Sequence, residues 1–234
     1  MIAQALQKLY DMTRKEPSIV IGGRNYGLLD EYQPVLEPRF ETLRTHTLRG
    51  IVDMIEDHEI DKSELRIHVY SPTDIFLELK ENGPFDQKQK LIHAQAYVTD
   101  FEFGKKYDTE TFIISLNSQF IQTDDRDAIL QLASMVTIET AGTVSDTGVS
   151  QKMDVKKGVS LKDRVEVKNP FALRPYRTFS EIEQPISDFV FRVHDDGGLK
   201  CSLHEADGAQ WKLKAVESIR EYFVMVVPDV TIIA

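Results

Sequence analysis

The chain has 234 residues, of which 41% are hydrophobic and 28% charged, so it is long enough to bury a substantial core. A formal net charge of -10 argues against non-specific nucleic-acid binding over the whole surface. The single cysteine, Cys201, excludes an internal disulfide and a cysteine-rich metal site. No apolar run approaches the roughly 20 residues of a spanning helix, and the N-terminus lacks a signal-peptide pattern, so we expect a cytoplasmic protein.

The first third of the chain predicts a helix followed by strands. Ile2, Leu6 and Leu9 recur at helical spacing, and Pro17 ends that helix. Residues 18–21 then predict a strand, residues 22–25 a turn that contains Gly22 and Gly23, and residues 26–29 the returning strand of a hairpin.

A short helix is predicted next, capped by Thr45 or Thr47 and reaching His58. Its inward side chains are Leu48, Ile51, Val52 and Ile55. Residues 65–70, 74–80 and 91–99 alternate between apolar and polar, which predicts antiparallel strands.

The middle of the chain changes to helical spacing. Asp108 is a plausible N-cap for a helix that carries Phe112, Leu116 and Phe120 on one face. Residues 123–125 break the chain before a second helix, so the two form an αα-hairpin. Residues 142–169 return to the two-residue period of strands.

The end of the chain predicts a hairpin and a helix. Residues 189–193 and 199–203 flank a strong turn signal, and Asp207 with Gln210 predicts the start of the last helix. The sequence therefore predicts an α+β fold of mostly antiparallel sheets, decorated by an N-terminal helix, a central αα-hairpin and a C-terminal helix. It predicts one compact unit over residues 1–234, with a bilobed division near residue 105 as the alternative.

Charge is distributed unevenly along the sequence. Residues 151–177 contain eight basic and three acidic residues, a local charge of +5 in a chain of net charge -10. Such a segment is either a surface for a polyanion or a solvated hairpin. On the first interpretation the candidate nucleic-acid contacts are Lys152, Lys156, Lys157, Arg164, Lys168, Arg174, Tyr176 and Arg177.

The last three of these candidates place aromatic and cationic groups together. Single-stranded nucleic-acid sites use that combination, because bases stack on rings while cations hold phosphates. In the competing interpretation, Pro175 shapes a bend and Tyr176 covers the core. Trp211 has the same two interpretations, base stacking or packing of the last helix onto a sheet.

Catalytic motifs are not evident. The loop at Gly22 and Gly23 lacks the spacing of a phosphate-binding loop, and the histidines lack metal-ligand spacing. Cys201 and His204 lie three residues apart on a predicted strand, which puts them on opposite faces. We therefore expect a non-enzymatic protein without metal or cofactor.

The motif LRPYRTF at residues 173–179, followed by EQP at residues 183–185 and EADGAQW at residues 205–211, resembles the C-terminal half of the YfdQ-like proteins of phages and prophages. That family has no assigned activity, and the resemblance carries no catalytic residue onto this chain. It implies a phage or prophage protein that acts among DNA-metabolism or host-takeover functions in the bacterial host.

Two functions are predicted from these observations. The first is a phage accessory protein of nucleic-acid metabolism that binds single-stranded nucleic acid or a replication or recombination partner. The alternative is a protein that binds and inhibits a host defence system or host enzyme through its acidic surface.

The C-terminal tail follows Pro228 and is apolar and β-branched. It adds a strand either to its own sheet or to the sheet of a neighbouring copy. The second alternative predicts a homo-oligomer with contacts through Val230, Ile232 and Ile233.

Overall fold

The computed structural model of the chain describes residues 18–21, 24–29, 31–34, 41–57, 61–83, 87–138, 144–146, 151–157, 161–167, 169–195 and 198–234. The predicted N-terminal helix and the turn at Gly22 and Gly23 lie outside these residues. So do His58 and Lys168.

The fold class is α+β, as the sequence predicts. The strands are β1 Ser18–Ile21, β2 Arg24–Leu29, β3 Glu31–Pro34, β4 Leu43–Thr45, β5 Leu65–Val69, β6 Asp74–Gly83, β7 Gln87–Gln95, β8 Tyr107–Asp108, β9 Val144–Asp146, β10 Gln151–Lys157, β11 Leu161–Val167, β12 Phe171–Leu173, β13 Ser187–Asp195, β14 Leu199–Glu205 and β15 Thr231–Ile233. The helices are α1 Leu48–Asp57, α2 Thr109–Gln119, α3 Asp124–Ile138 and α4 Gln210–Val226, with a 3-10 turn at Lys62–Glu64.

The strands form four sheets in the described part of the chain. Three are antiparallel, with strand orders β1-β2-β3, β11-β10-β9 and β12-β13-β14-β8. The fourth has the order β15-β5-β6-β7-β4, in which the central pairs are antiparallel and both edge strands pair in parallel.

Helix α1 begins as the sequence predicts, with an additional contribution from a distant residue. The Thr47 hydroxyl oxygen accepts a hydrogen bond from the Gly50 amide at 3.2 Å, so Thr47 is the capping residue. The Glu181 carboxylate also accepts a hydrogen bond from the Leu48 amide at 2.7 Å. A carboxylate there complements the positive end of the helix, although it lies 133 residues further along the chain.

The buried side chains form two clusters. In the first, α1 and the end of α4 cover one face of the five-stranded sheet. All four residues predicted to face inward from α1 are buried: Leu48, Ile51, Val52 and Ile55. In the second, the predicted αα-hairpin of α2 and α3 covers the four-stranded sheet, and Phe112, Leu116, Phe120 and Ile129 are buried with Phe189 and Phe191. The division of the chain into domains stays a prediction.

Residues 173–184 connect the two clusters. The Tyr176 amide donates to the Gln119 carbonyl at 3.0 Å, and the Thr178 hydroxyl donates to the Pro72 carbonyl at 2.6 Å. The buried Gln184 side chain holds the segment together, because its Oε1 accepts hydrogen bonds from two backbone amides and its Nε2 donates to the Phe179 carbonyl. This segment therefore has defined contacts on both sides.

Among the described residues, the helices are too short or too polar to cross a membrane.

Candidate functional site

The predicted aromatic and cationic cluster is split between the surface and the interior. Tyr176 is 42% exposed. The Arg174 guanidinium pairs with the Glu183 carboxylate beside a groove against α4. Arg177, by contrast, is 6% exposed. The sequence motif therefore brings two residues to the surface and buries the third.

Arg177 is held inside the protein by polar and aromatic partners. Its guanidinium donates to the Glu205 carboxylate at 2.7 Å and to the Ser187 hydroxyl, and it lies 4.0 Å from the centre of the Trp211 ring. Burial lowers the pKa of Arg177 to about 10, so it keeps its charge at neutral pH. Its charge is directed toward these partners, and a surface ligand would not reach it.

Trp211 is partly buried, and its ring lies against the buried Arg177 guanidinium. The Asp207 carboxylate accepts hydrogen bonds from the Ala209 amide at 3.1 Å and from the Trp211 amide at 3.3 Å. The carboxylate thus binds an amide of the first turn of α4, but the N-cap residue is Ala209, in the left-handed conformation, and not Asp207 as the capping-box pattern predicts. Burial alone would raise the pKa of Asp207, but hydrogen bonds to Ser187 and these amides and the nearby Arg177 charge lower it overall.

The predicted basic segment forms the antiparallel pair β10-β11. Its register sets Lys152 opposite Glu166 and Arg164 opposite Asp154. Lys156 lies opposite Lys162, and Lys157 is next along β10. Two of the candidate cations are thus in register with acidic residues, whereas the end of the hairpin sets one lysine opposite another.

The C-terminal tail adds a strand to its own sheet. Strand β15 pairs with β5, Val230 is buried in the first cluster, and Ile232 packs against the same cluster. Ile233 is 45% exposed. The oligomer prediction was based on an apolar tail that needed burial, and most of this burial occurs within the chain. Oligomerisation through Val230, Ile232 and Ile233 stays a prediction, but the tail no longer argues for it.

A second set of rings lies on the face of the five-stranded sheet that is opposite α1 and α4. Register pairs His68 with Phe76, Phe76 with His93, and His93 with Arg44, so these residues form a row across four strands. We call this surface the aromatic face. It comprises the rings of His46, His68, Tyr70, Phe76, His93 and Tyr97 and the charged residues Arg44, Arg66, Asp74, Glu78 and Lys90.

Phe76 is the centre of the aromatic face. The His93 ring stacks on it with the centroids 4.4 Å apart and the planes at 24°, and Lys90 Nζ lies 3.5 Å from its centroid. The rings of His68 and Tyr70 lie 6.5 and 6.2 Å from Phe76. A partly buried ring is thus surrounded by imidazole, phenol and ammonium groups.

Two carboxylates fix the charged side chains of the face. Glu78 is 1% exposed and accepts a hydrogen bond from Arg66 at 3.0 Å, while His68 Nδ1 lies 3.6 Å from its other oxygen. Asp74 accepts hydrogen bonds from Ser71, Thr73 and His93 Nε2 at 3.0, 2.8 and 3.0 Å. Burial opposes ionisation of Asp74, but these hydrogen bonds outweigh it and its pKa lies below the ordinary value.

Two tyrosines project from the face into solvent. Tyr70 is 69% exposed, and Tyr97 is 75% exposed although His46 stacks on it with the centroids 4.0 Å apart. Tyr70 directly follows β5 and Tyr97 lies in the segment after β7, and these two strands are about 10 Å apart across the sheet. Their rings are therefore the groups on the face that are most accessible to a planar ligand.

Other chemistry in the described residues is limited. No group of three or more His, Cys, Asp or Glu side chains there could hold a metal ion. Cys201 is buried, and burial raises its pKa to about 12, so the thiol is not a nucleophile in the folded protein. The His194 and His204 rings both contact the Ser202 hydroxyl, which is buried. These groups do not form an accessible reactive centre.

The aromatic face was not among the sites predicted from the sequence. Its members come from β4 to β7 and the loops beside them, and neighbours in the row are separated by 8 to 49 residues, as the register shows. One signal could have identified it. Arg66, His68 and Tyr70 occupy the polar phase of an alternating strand, where solvent-facing residues carry rings.

No family model matches the sequence, and the searches of curated proteins and of solved structures find no match. The resemblance to the YfdQ-like proteins therefore stays a prediction, and the case for a function depends on the site.

Proposed function

We propose that the protein binds single-stranded nucleic acid without catalysing a reaction on it, and that the aromatic face makes the main contacts. The observation that carries the proposal is the pair of exposed rings, Tyr70 and Tyr97, on a face that also carries the cations Arg44, Arg66 and Lys90. Unpaired bases stack on such rings, while a duplex hides the faces of its bases. A single strand is therefore the form of nucleic acid that suits this surface.

The charges of the face complement a phosphate backbone. Arg44 on the edge strand β4 and Lys90 on the neighbouring strand β7 are exposed, and Arg66 on β5 has 17% of its side chain exposed. The acidic groups of the face are already engaged, since Glu78 pairs with Arg66 and Asp74 with His93. The exposed cations thus remain available for phosphates, even though the whole chain has a net charge of -10.

The hairpin β10-β11 is the second contact in this proposal. Like charges opposite each other on paired strands destabilise a sheet, and Lys156 lies opposite Lys162. An anionic ligand at that point would reduce the repulsion. The setting implied by the resemblance, a phage or prophage protein in the bacterial cytoplasm, belongs to the same proposal.

Fluorescence anisotropy with a labelled oligo-dT strand tests the proposal. Replacing Tyr70 and Tyr97 by alanine is expected to weaken binding by about 1 to 3 kcal/mol for each base that loses its stacking partner. Met225→Ala, which removes a side chain that is 77% exposed on α4, is the control and leaves the affinity unchanged.

The salt dependence separates the contributions of the two surfaces. Each lost phosphate contact on a single strand reduces the slope of log affinity against log salt by about 0.7, so Arg44→Ala and Lys90→Ala each lower the slope by that amount. Lys156→Glu with Lys157→Glu tests the hairpin in the same assay. Absence of binding by the wild-type protein at low salt contradicts the proposal and favours the alternative, an inhibitor that binds a protein.

A further inference from the structure

We propose that the aromatic face binds nucleic acid in a pH-dependent manner, with protonation of His46, His68 and His93 adding three hydrogen-bond donors and three positive charges for phosphates. This inference rests on the proposed function. Half of the six histidines of the chain lie on this one face.

In two of the three imidazoles, one nitrogen lies within hydrogen-bond distance of an oxygen that only accepts. His46 Nδ1 lies 2.8 Å from the Gln95 carbonyl oxygen, and His93 Nε2 lies 3.0 Å from the Asp74 carboxylate. The proton of the neutral ring therefore lies on Nδ1 of His46 and on Nε2 of His93. His68 Nδ1 lies 3.6 Å from the Glu78 carboxylate, which is an ion-pair distance beyond that of a hydrogen bond.

The second nitrogen of each ring then determines whether the ring can donate a hydrogen bond to a phosphate. In the neutral ring this nitrogen carries a lone pair, which cannot bond a phosphate oxygen. Protonation places a hydrogen on it and converts it into a charged donor. This second nitrogen is Nε2 in His46 and Nδ1 in His93, and in His68 it is Nε2, since Nδ1 is the nitrogen nearer to Glu78.

The groups around the rings carry charges of both signs. The carboxylates beside His68 and His93 favour the added charge, whereas the cations beside them oppose it. His68 is faced by Arg66 on its own strand and Tyr70 directly after it, Glu78 and Phe76 on β6, and Ile233 on β15. His93 is faced by Asp74 and Phe76 on β6, Lys90 and Gln95 on β7, and Arg44 on β4. His46 is faced by Tyr97 and the Gln95 carbonyl.

Of the charged residues that define the face, three are cations and two are carboxylates. Each imidazole that binds a second proton adds one positive charge, so protonation of all three makes the face distinctly positive.

Binding of labelled oligo-dT at pH 5.5 and pH 8.0, at constant ionic strength, tests the inference, because thymine does not titrate in this range. The wild-type protein is expected to bind about tenfold more tightly at pH 5.5, and the salt slope is expected to increase by up to about 2, or about 0.7 for each new contact. The variant His46→Gln, His68→Gln, His93→Gln is expected to lose both changes, so that its affinity and its salt slope are the same at pH 5.5 and pH 8.0.

Circular dichroism shows whether the triple variant is folded. The single variant His93→Gln provides a second test, and it is expected to lose about a third of the change in salt slope. His204→Gln, outside the face, keeps the full pH effect. The whole protein becomes less negative at low pH, but this change affects binding by all variants. It therefore cannot explain a difference in pH dependence between them.

Two results overturn the inference. If the wild-type protein binds equally at both pH values, or if the triple variant keeps the increase, the imidazoles have no such role while the proposed function stands. If the wild-type protein does not bind oligo-dT at either pH, both proposals fail.

Discussion

The surroundings of Arg177 and of Phe76 both bring a cation against aromatic rings, at 4.0 Å from Trp211 in the first case and 3.5 Å from Phe76 in the second. They differ in exposure. Arg177 is 6% exposed and donates to Glu205 and Ser187, whereas Phe76 lies beside Tyr70, which is 69% exposed. The same pairing of groups stabilises the fold in one region and offers a ligand surface in the other.

The comparison shows how far neighbours in sequence differ from neighbours in space. Arg174, Tyr176 and Arg177 are adjacent in the chain, but the turns of residues 173–184 direct them to different surroundings. His68, Phe76 and His93 are distant in the chain, but strand register places them side by side. A ligand site made of rings and cations is therefore better sought across paired strands than along one segment.

The largest loss of stability is expected when Arg177, the buried cation, is replaced. Arg177→Met removes the guanidinium from a buried environment and leaves Ser187 and Glu205 without their donor, so the free energy of unfolding should fall by about 3 kcal/mol. Urea denaturation measures this change.

Arg174→Met is the matched control, since the Arg174 side chain is 32% exposed and its partner Glu183 is 74% exposed. An exposed ion pair contributes at most about 1 kcal/mol. Equal losses in the two variants would contradict the assignment of Arg177 as the structural member of the motif.

Much of the fold follows from the sequence because the signals are local. Thr47 and Asp108 cap helices where the spacing predicts them, and the buried faces of α1 and the αα-hairpin follow the helical period. The strands β13 and β14 pair antiparallel on the two sides of the predicted turn signal. These features depend on residues a few positions apart, which a sequence pattern records.

What the sequence did not predict depends on contacts between distant residues. Glu181 caps α1 from 133 residues away, and the parallel pairing of β15 with β5 determines where the tail is buried. The burial of Arg177 depends on Trp211 and Glu205, which fold onto it from other elements. The aromatic face depends on the register of four strands, which no single segment specifies.

A smaller effect is expected at Glu78, the buried carboxylate of the aromatic face. Glu78→Gln removes the charge that pairs with Arg66 and lies near His68, so the free energy of unfolding should fall by about 2 kcal/mol. The face then carries one more uncompensated cation, and binding of oligo-dT should become stronger.

Glu56→Gln, in an exposed pair with Arg49, is the control for Glu78→Gln and should change stability by no more than about 0.5 kcal/mol. A Glu78→Gln variant as stable as the wild type would show that the charges of the aromatic face are as dispensable as those of a solvated surface. Removal of a charge would then reduce stability at Arg177 but not on the aromatic face.

The smallest effect is expected at Asp74, and it depends on pH. Hydrogen bonds from Thr73, His93 and Ser71 outweigh burial and lower the pKa of Asp74, so the folded protein favours its ionised form. A carboxyl group with a lowered pKa contributes stability above its unfolded pKa, about 3.9, and this contribution is lost as the pH falls through the folded value.

Asp74→Asn should therefore reduce the free energy of unfolding by about 1 kcal/mol at neutral pH, and the difference from the wild type should disappear in acid. Denaturation curves at pH 7 and at about pH 2 measure this, with Asp229→Asn at an exposed position as the control. A difference that persists unchanged at low pH would mean that Asp74 acts through packing, and the carboxylate that orients His93 would lose its electrostatic role in the aromatic face.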